Sequence, residues 1–229
     1  MKIPVFIGIF VLISTGCIGQ DFQVHAKSDD QSIASFTKMM DAGAHALHIG
    51  VISNDQNQLI VDSVLLLRDV VKALEWHTKS YTRYEIKYII ELQKSPAYQK
   101  ESKAIHDLLD EYIPLKRVTI HSADFKILKY WKKNYPQIKL SANIKNNKSV
   151  DTNLANLGFK PDIYSPNYEA FSEAKVANLH KRSIKVIPWT VNDTTSMNEL
   201  IQWEVDGFIT NAPEQSQLLG VNKEVKGGN

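Results

Sequence analysis

Four side chains in the amino-terminal part of the sequence could together bind a transition metal: His25, His48, Asp62 and Glu85. Two imidazoles and two carboxylates form a donor set that suits Zn²⁺ or Mn²⁺. Each residue lies in or directly after a short apolar run of the kind that forms a strand, so neighbouring strands would bring them together. His48 has a second interpretation, as a core histidine that is hydrogen-bonded inside the protein. A metal site and an ordinary buried histidine both stay open.

Two further side chains have types that suit ligand contact. Lys87 lies two residues after Glu85, and residues i and i+2 of a strand share a face. The pair is either a structural ion pair or a pair of charges that serves a ligand, and we favour the second interpretation. Trp189 is equally suited to packing and to forming a flat platform for a ligand.

The pattern along the chain predicts parallel strands joined by helices, because short β-type runs alternate with helical periodicity. Seven helical stretches separate eight predicted strands, at residues 22–25, 45–52, 84–89, 117–121, 138–142, 162–164, 185–189 and 207–210. This count describes an α/β fold, the (β/α)₈ TIM barrel. In such a barrel the chemistry lies at the carboxyl ends of the strands, and we expect the side chains named above to lie there.

Composition and motifs exclude several classes of protein. The chain has 229 residues, of which 43% are hydrophobic and 23% charged, with a formal net charge of +2. These values are those of an ordinary globular domain, with no charge block for a nucleic acid partner. There is no nucleotide-binding glycine loop, P-loop, serine nucleophile elbow or cysteine nucleophile. The oligomeric state stays open.

The first 19 residues are predicted to be a signal peptide, followed by a single barrel domain over residues 20–229. Lys2 precedes an apolar run that is too short to span a bilayer comfortably. Residues 14–17 end in Cys17 and resemble a bacterial lipobox, whereas residues 19 and 20 suit ordinary signal cleavage; an uncleaved amphipathic start is the third alternative. Either cleavage predicts an exported protein of the bacterial cell envelope, lipid-anchored at Cys17 or periplasmic or secreted, with membrane contact only through that anchor.

The carboxyl-terminal third carries the motif of one enzyme family. Residues 186–193, with the sequence Val-Ile-Pro-Trp-Thr-Val-Asn-Asp, and residues 205–213, with the sequence Val-Asp-Gly-Phe-Ile-Thr-Asn-Ala-Pro, resemble the glycerophosphodiester phosphodiesterase family. Ser122-Ala123-Asp124 is similar to its Ser-Phe-Asp segment, and Tyr84-Glu85-Ile86-Lys87 is similar to its Glu-x-Lys strand. The resemblance runs from about residue 22 to residue 213 and implies the TIM barrel of the phospholipase C-like phosphodiesterases.

The resemblance implies a metal-dependent phosphoric diester hydrolase of lipid metabolism. Such enzymes hydrolyse glycerophosphodiesters to glycerol 3-phosphate and an alcohol. They hold Ca²⁺ or Mg²⁺ with two carboxylates on strand two and one on strand three, and use two histidines as acid and base. His25 matches the first histidine and Glu85 the strand-three carboxylate. The strand-two carboxylates fall on His48 and Gly50, and the second histidine falls on Asp62.

Two functions follow from these replacements. In the first, Lys87 contacts the phosphate, Trp189 forms a wall next to the glycerol carbons, and hydrolysis uses His25 with Glu85 and either His48 or Asp62 around a metal. That metal is Ca²⁺ or Mg²⁺ by resemblance, or Zn²⁺ or Mn²⁺ if the site is rebuilt. In the second, the barrel is a pseudoenzyme, with or without a metal. It then binds a small polar phosphodiester, a phospholipid head group or a protein partner at the cell envelope.

Overall fold

Strands and helices alternate throughout the computed structural model, which describes residues 22–62, 64–82 and 84–220. The strands are β1 (Gln23–Lys27), β2 (Ala46–Ser53), β3 (Leu59–Ile60), β4 (Lys87–Leu92), β5 (Val118–Ser122), β6 (Lys139–Ile144), β7 (Ile163–Pro166), β8 (Lys185–Val186) and β9 (Gly207–Thr210). The helices are α1 (Ile33–Asp41), α2 (Leu67–Tyr81), α3 (Tyr98–Tyr112), α4 (Phe125–Asn134), α5 (Val150–Leu157), α6 (Glu173–His180), α7 (Thr194–Gln202) and α8 (Pro213–Gln217). The predicted signal peptide and its Cys17 lie outside the described residues. Within those residues, no helix combines the length and the apolar character that crossing a bilayer requires.

Eight parallel strands form a barrel in the order β8-β7-β6-β5-β4-β2-β1-β9. Backbone hydrogen bonds from Asp206 to Val186 and from Ile209 to Pro188 bring the two ends of this sheet together. The remaining strand, β3, is a two-residue segment that pairs antiparallel with the end of β2. The predicted (β/α)₈ TIM barrel is confirmed.

Alternation along the strands separates an outer core from the barrel interior. In β4, Tyr88, Ile90 and Leu92 belong to the large apolar core between strands and helices. Ile89 and Glu91 alternate with them and therefore face the interior. The interior is polar on the side of β1, β2 and β5, and these strands can position functional groups there.

The third barrel strand, β4, begins three residues later than the sequence pattern predicts. The Tyr84 hydroxyl donates a hydrogen bond to the backbone carbonyl of Ala44 at 3.1 Å, so Tyr84 is tied to the segment before β2 instead of starting the strand. The strand starts at Lys87. As a result Glu85 precedes β4, whereas Glu91 lies near its carboxyl end.

Close contacts fix the amino end of the barrel. Arg117, just before β5, donates two hydrogen bonds to the carboxylate of Glu75 on α2, at 3.0 and 2.7 Å, and a third to the carbonyl of Ile86. Gly207 starts β9 with a φ of 157°, and a Cβ atom there would lie 2.1 Å from the carbonyl oxygen of Gln23. Only glycine allows this approach of β9 to β1.

Candidate functional site

A cavity of about 350 Å³ opens at the carboxyl ends of the barrel strands, and we call it the mouth cavity. Its polar lining consists of Lys27, Asp29, His48, Glu91, His121, Asn143, Lys145, Thr190 and Asn211. Trp189 and Ile209 contribute the apolar part. The size is that of a small-molecule site, and TIM barrels place their active sites at this face. The mouth cavity is therefore the candidate functional site.

An ion pair between two strands lies in this cavity. The Nζ atom of Lys27, the last residue of β1, donates a hydrogen bond to Oε2 of Glu91 at 2.7 Å. Lys27 is next to His48 in the sheet, and Gly50 on the intervening strand is next to Glu91. The long lysine side chain crosses β2 to reach Glu91. The Lys27 side chain remains 36% exposed and that of Glu91 14%, so the pair is still accessible from the cavity.

Three histidine rings cross the barrel interior. Nδ1 of His25 lies 3.4 Å from Nε2 of His48, whose ring centroid is 5.1 Å from that of His121. Nδ1 of His121 lies 2.9 Å from the hydroxyl oxygen of Ser141. At the other end, Nε2 of His25 lies 3.2 Å from Oε1 of Gln23. The three rings therefore form one polar cluster behind the mouth cavity.

This network assigns the proton positions of the neutral rings. The amide oxygen of Gln23 can only accept, so Nε2 of His25 carries its proton and Nδ1 of His25 accepts from His48. His48 then has its single proton on Nε2. Its Nδ1 atom is left as an unprotonated hydrogen-bond acceptor.

Burial sets the charge state of the site. Desolvation lowers the pKa of His25 to about 3 and that of His121 to about 4. The same cause lowers the pKa of His48 well below its usual value, and the positive charge of Lys27 adds to this shift. Burial would raise the pKa of Glu91, but the hydrogen bond from Lys27 and nearby positive charges lower it. At neutral pH the site therefore contains neutral imidazoles and a charged carboxylate.

Two buried acceptors of the mouth cavity have no hydrogen-bond partner among the described residues. They are Nδ1 of His48 and Oδ1 of Asn143, and both residues are more than nine-tenths buried. A buried polar atom without a partner costs about 1–3 kcal/mol. Both atoms have almost no accessible surface, so a ligand hydroxyl reaches them only when lining side chains shift, and hydroxyl donors would then satisfy both.

Trp189 lies at the wall of the mouth cavity. Its indole Nε1 donates a hydrogen bond to the carbonyl of Ser165 at 2.9 Å, which fixes the ring. The ring packs against the small apolar cluster of Ile163, Ile187 and Ile209 inside the barrel. Trp189 therefore packs inside the barrel and also forms part of the cavity wall. Its contact with ligand carbons stays a prediction.

The expected positions of Glu85 and Lys87 at the mouth are corrected by the structure. Glu85 is exposed and precedes β4, and Lys87 is the first residue of that strand, next to Ala46 at the amino end. The amino end is opposite the mouth cavity. The acidic side chain that β4 brings to the cavity is Glu91, and the basic partner is Lys27.

His25 and Asp62 are also separated from the expected cluster. His25 lies two residues before Lys27, deeper in the barrel, and meets the cavity lining through His48. Asp62 is exposed in the loop between β3 and α2. Of the four side chains considered as metal ligands, His48 is the one that lines the mouth cavity.

The donor set does not fit a divalent cation. Within the described ranges, no group of three or more His, Cys, Asp or Glu side chains is arranged to hold a metal ion. Glu91, the carboxylate best placed for one, is hydrogen-bonded to an ammonium group. Ca²⁺ and Mg²⁺ need several oxygen ligands. The expected Zn²⁺ or Mn²⁺ site is not formed either, because its four side chains are dispersed: His25, His48, Asp62 and Glu85.

The sequence pattern does not single out Lys27, Glu91 or Asn143. The sequence does contain a signal for the first two. Strict alternation from His25 puts Lys27 on the interior face, and alternation from Ile89 does the same for Glu91. Asn143 lies one residue beyond the fifth predicted strand, residues 138–142, and inside the observed β6. Its lack of a partner can be seen only in the folded protein.

The sequence matches the model of the glycerophosphoryl diester phosphodiesterase family over residues 21–215. It is 24% identical over 135 residues to a glycerophosphodiester phosphodiesterase of Bacillus subtilis (strain 168). That match covers 59% of this chain and 43% of the relative, so the chain spans less than half of the relative's length.

Two solved structures are similar in fold. A glycerophosphodiester phosphodiesterase from Parabacteroides distasonis ATCC 8503 has a TM-score of 0.73 and 18% identity, covering 87% of this chain and 97% of that one. An Oleispira antarctica phosphodiesterase, solved in complex with the product sn-glycerol-3-phosphate, has a TM-score of 0.74 and 15% identity, covering 86% and 96%. At these identities the likeness concerns the fold.

Proposed function

Since the chain belongs to the glycerophosphodiester phosphodiesterase family, we propose that its mouth cavity binds a glycerophosphodiester, which the protein hydrolyses to glycerol 3-phosphate and an alcohol. One observation carries this proposal: the cavity combines ammonium groups with hydrogen-bond acceptors that no described residue satisfies. Ammonium groups bind phosphate, and free acceptors bind hydroxyl groups. A glycerophosphodiester carries both.

Each part of this ligand has a counterpart in the lining. Lys27 and Lys145 supply positive charge to the phosphate oxygens. Nδ1 of His48 and Oδ1 of Asn143 accept hydrogen bonds from the glycerol hydroxyls. Trp189 covers the glycerol carbons. The related phosphodiesterase from Oleispira antarctica was solved with sn-glycerol-3-phosphate, which supports a ligand of this chemistry.

Hydrolysis requires a base, and His48 is the residue suited to that role. Its Nδ1 atom accepts a proton from the attacking water as the new bond to phosphorus forms, and the protonated ring gives that proton to the oxygen of the leaving alcohol as its bond to phosphorus breaks. The two lysines stabilise the negative charge that develops on the phosphoryl oxygens. Because the pKa of His48 is well below its usual value, this base stays unprotonated from pH 8 to pH 6.

Binding without turnover is the second candidate. The observation that favours it is the hydrogen bond between Lys27 and Glu91, which occupies the half-buried carboxylate of the cavity. A barrel with this arrangement would bind a phospholipid head group at the cell envelope and release it unchanged.

The proposal extends to where the protein acts. The sequence of residues 1–19 supports export to the bacterial cell envelope, where lipid breakdown releases glycerophosphodiesters. Mass spectrometry of the mature amino terminus tests this part. A diacylglycerol on Cys17 supports a lipid anchor, a chain that begins at Gln20 supports a released form, and retention of residues 1–19 in the cytoplasmic fraction contradicts export.

The reaction is tested by incubating the purified protein with glycerophosphocholine and glycerophosphoethanolamine and measuring glycerol 3-phosphate. Parallel reactions contain EDTA, Ca²⁺, Mg²⁺, Mn²⁺ or Zn²⁺. We expect release by the wild type, a loss of about tenfold or more in Glu91→Gln, and wild-type rates in the matched control Glu85→Gln, which changes an exposed carboxylate outside the cavity.

The alternatives give different results in the same experiment. Ligand binding without release of glycerol 3-phosphate under any condition supports the second candidate. Neither binding nor release by the folded protein contradicts both. Equal effects of Glu85→Gln and Glu91→Gln would show that the mouth cavity is not the site.

A further inference from the structure

We propose that the Lys27 ammonium takes the position that a divalent cation would hold against Glu91, so that the mouth cavity binds the phosphate of its ligand without a metal ion. The inference rests on the proposed function, because it concerns the same ligand phosphate. It differs from the metal dependence that the family resemblance implies.

The geometry of the ion pair is the first argument. The distance of 2.7 Å between Nζ of Lys27 and Oε2 of Glu91 is that of a charge-assisted hydrogen bond. The ammonium neutralises the half-buried carboxylate of the cavity lining. A divalent cation in contact with Glu91 would have to displace Lys27 or stand next to a like charge in a half-buried place, and both are unfavourable.

The surroundings of Glu91 give the second argument. Its neighbour on β2 is Gly50, which offers no ligand atom from a side chain, and its neighbour on β5 is the neutral His121. The other carboxylate of the lining, Asp29, is exposed in the loop after β1. A hard cation that needs six or more oxygen ligands would find few of them here.

The position of Lys27 at the end of β1 also suits the binding of an anion. Asn211 donates a hydrogen bond to the Lys27 carbonyl at 2.8 Å, and the backbone N–H of Asn211 donates to Asn192 at 2.8 Å. This chain of contacts fixes the end of β1 to the end of β9. An ammonium group has three N–H donors, of which Glu91 takes one. The other two are available to phosphate oxygens, so Glu91 acts as the positioning residue of Lys27.

The test measures the binding of glycerol 3-phosphate by isothermal titration calorimetry, in EDTA and in buffers with Ca²⁺ or Mg²⁺. The same metals are also titrated alone. The variants are Lys27→Met, which removes the charge, Lys27→Arg, which keeps it, and the control Lys139→Met, which removes an exposed charge at the amino end of β6.

We expect the same affinity in EDTA as with either metal, and no heat of binding from the metals alone. Lys27→Met should weaken binding by about tenfold or more, Lys27→Arg should retain metal-free binding, and Lys139→Met should bind like the wild type. The comparison in EDTA uses the wild type only, so it decides the question even if Lys27→Met does not fold.

Binding that disappears in EDTA and returns with Ca²⁺ or Mg²⁺ overturns this inference and leaves the proposed function intact. Unchanged affinity in a folded Lys27→Met variant overturns it as well. A wild type that binds glycerol 3-phosphate in none of the buffers overturns the proposed function itself, and the inference with it.

Discussion

Acid should destabilise this protein at pH values where its carboxylates are still charged, because His25, His48 and His121 are buried as neutral rings. In the unfolded chain each ring has a pKa of about 6.5. Below that pH the unfolded chain takes up protons that the folded protein cannot bind. The stabilisation is complete above pH 6.5 and is lost as the pH falls toward the lowered folded values.

The magnitude follows from the lowered pKa values of His25 and His121. Burial lowers the pKa of His25 to about 3 and that of His121 to about 4. Each ring then removes about 1.4 kcal/mol of stability per pH unit below 6.5. Between pH 8 and pH 5 this amounts to about 4 kcal/mol for the two rings, and His48 acts in the same direction. A domain has about 5–15 kcal/mol of stability in total, so the effect is large.

Urea unfolding followed by circular dichroism at several pH values between 8 and 5 measures this loss. His121→Asn keeps a polar side chain next to Ser141 and should reduce the slope by about one proton, or about 1.4 kcal/mol per pH unit. Glu91 does not interfere, because its lowered pKa confines its own contribution to more acidic solutions. An unfolding free energy that is equal at pH 8 and pH 5 would refute the assignment of buried neutral histidines. If His121→Asn left the pH dependence of the unfolding free energy unchanged, the contribution assigned to His121 would be refuted.

Three further predictions concern packing and ligand contact. Gly207→Ala should lower the free energy of unfolding by about 3 kcal/mol, because its Cβ would collide with the Gln23 carbonyl; an unchanged urea midpoint would contradict this. Glu75→Ala should lower the free energy of unfolding by about 3–5 kcal/mol, because it leaves the buried Arg117 guanidinium without its carboxylate. A loss below about 1 kcal/mol would show that the protein does not need this ion pair. Asn143→Leu should leave the free energy of unfolding equal or higher, because it removes a buried acceptor that has no partner in the described residues. The same change should weaken glycerol 3-phosphate binding by about threefold or more, and an unchanged affinity in titration calorimetry would exclude that contact.

The barrel can be predicted from the sequence because its pattern is repeated and local. Each strand has outward residues that pack against helices, as Tyr88 and Ile90 do in β4, and helical stretches of suitable length separate the strands. Errors of a few residues at strand ends do not change such a pattern. The family motif in residues 186–213 gives the same fold independently.

The site is less predictable, because its composition depends on those same strand ends. The predicted strand over residues 84–89 stops before Glu91, whereas the observed β4 continues to Leu92 and brings Glu91 to the mouth. Glu85 lies at the amino end with either strand, and its expected place at the mouth rests on the family resemblance. Nothing local to either residue distinguishes the two. The hydrogen bond between Lys27 and Glu91 joins positions 64 residues apart, on two strands that are separated by β2. Contacts of this kind are set by the closed barrel and not by any one segment.

A crystal structure of the protein with glycerol 3-phosphate, grown in EDTA, tests the central claim most directly. We expect the ligand in the mouth cavity, with phosphate oxygens within hydrogen-bond distance of Nζ of Lys27 and glycerol hydroxyls on Nδ1 of His48 and Oδ1 of Asn143. A ligand bound elsewhere would contradict the site. A ligand that enters the cavity only with a metal ion bound to Glu91 would contradict the role of Lys27.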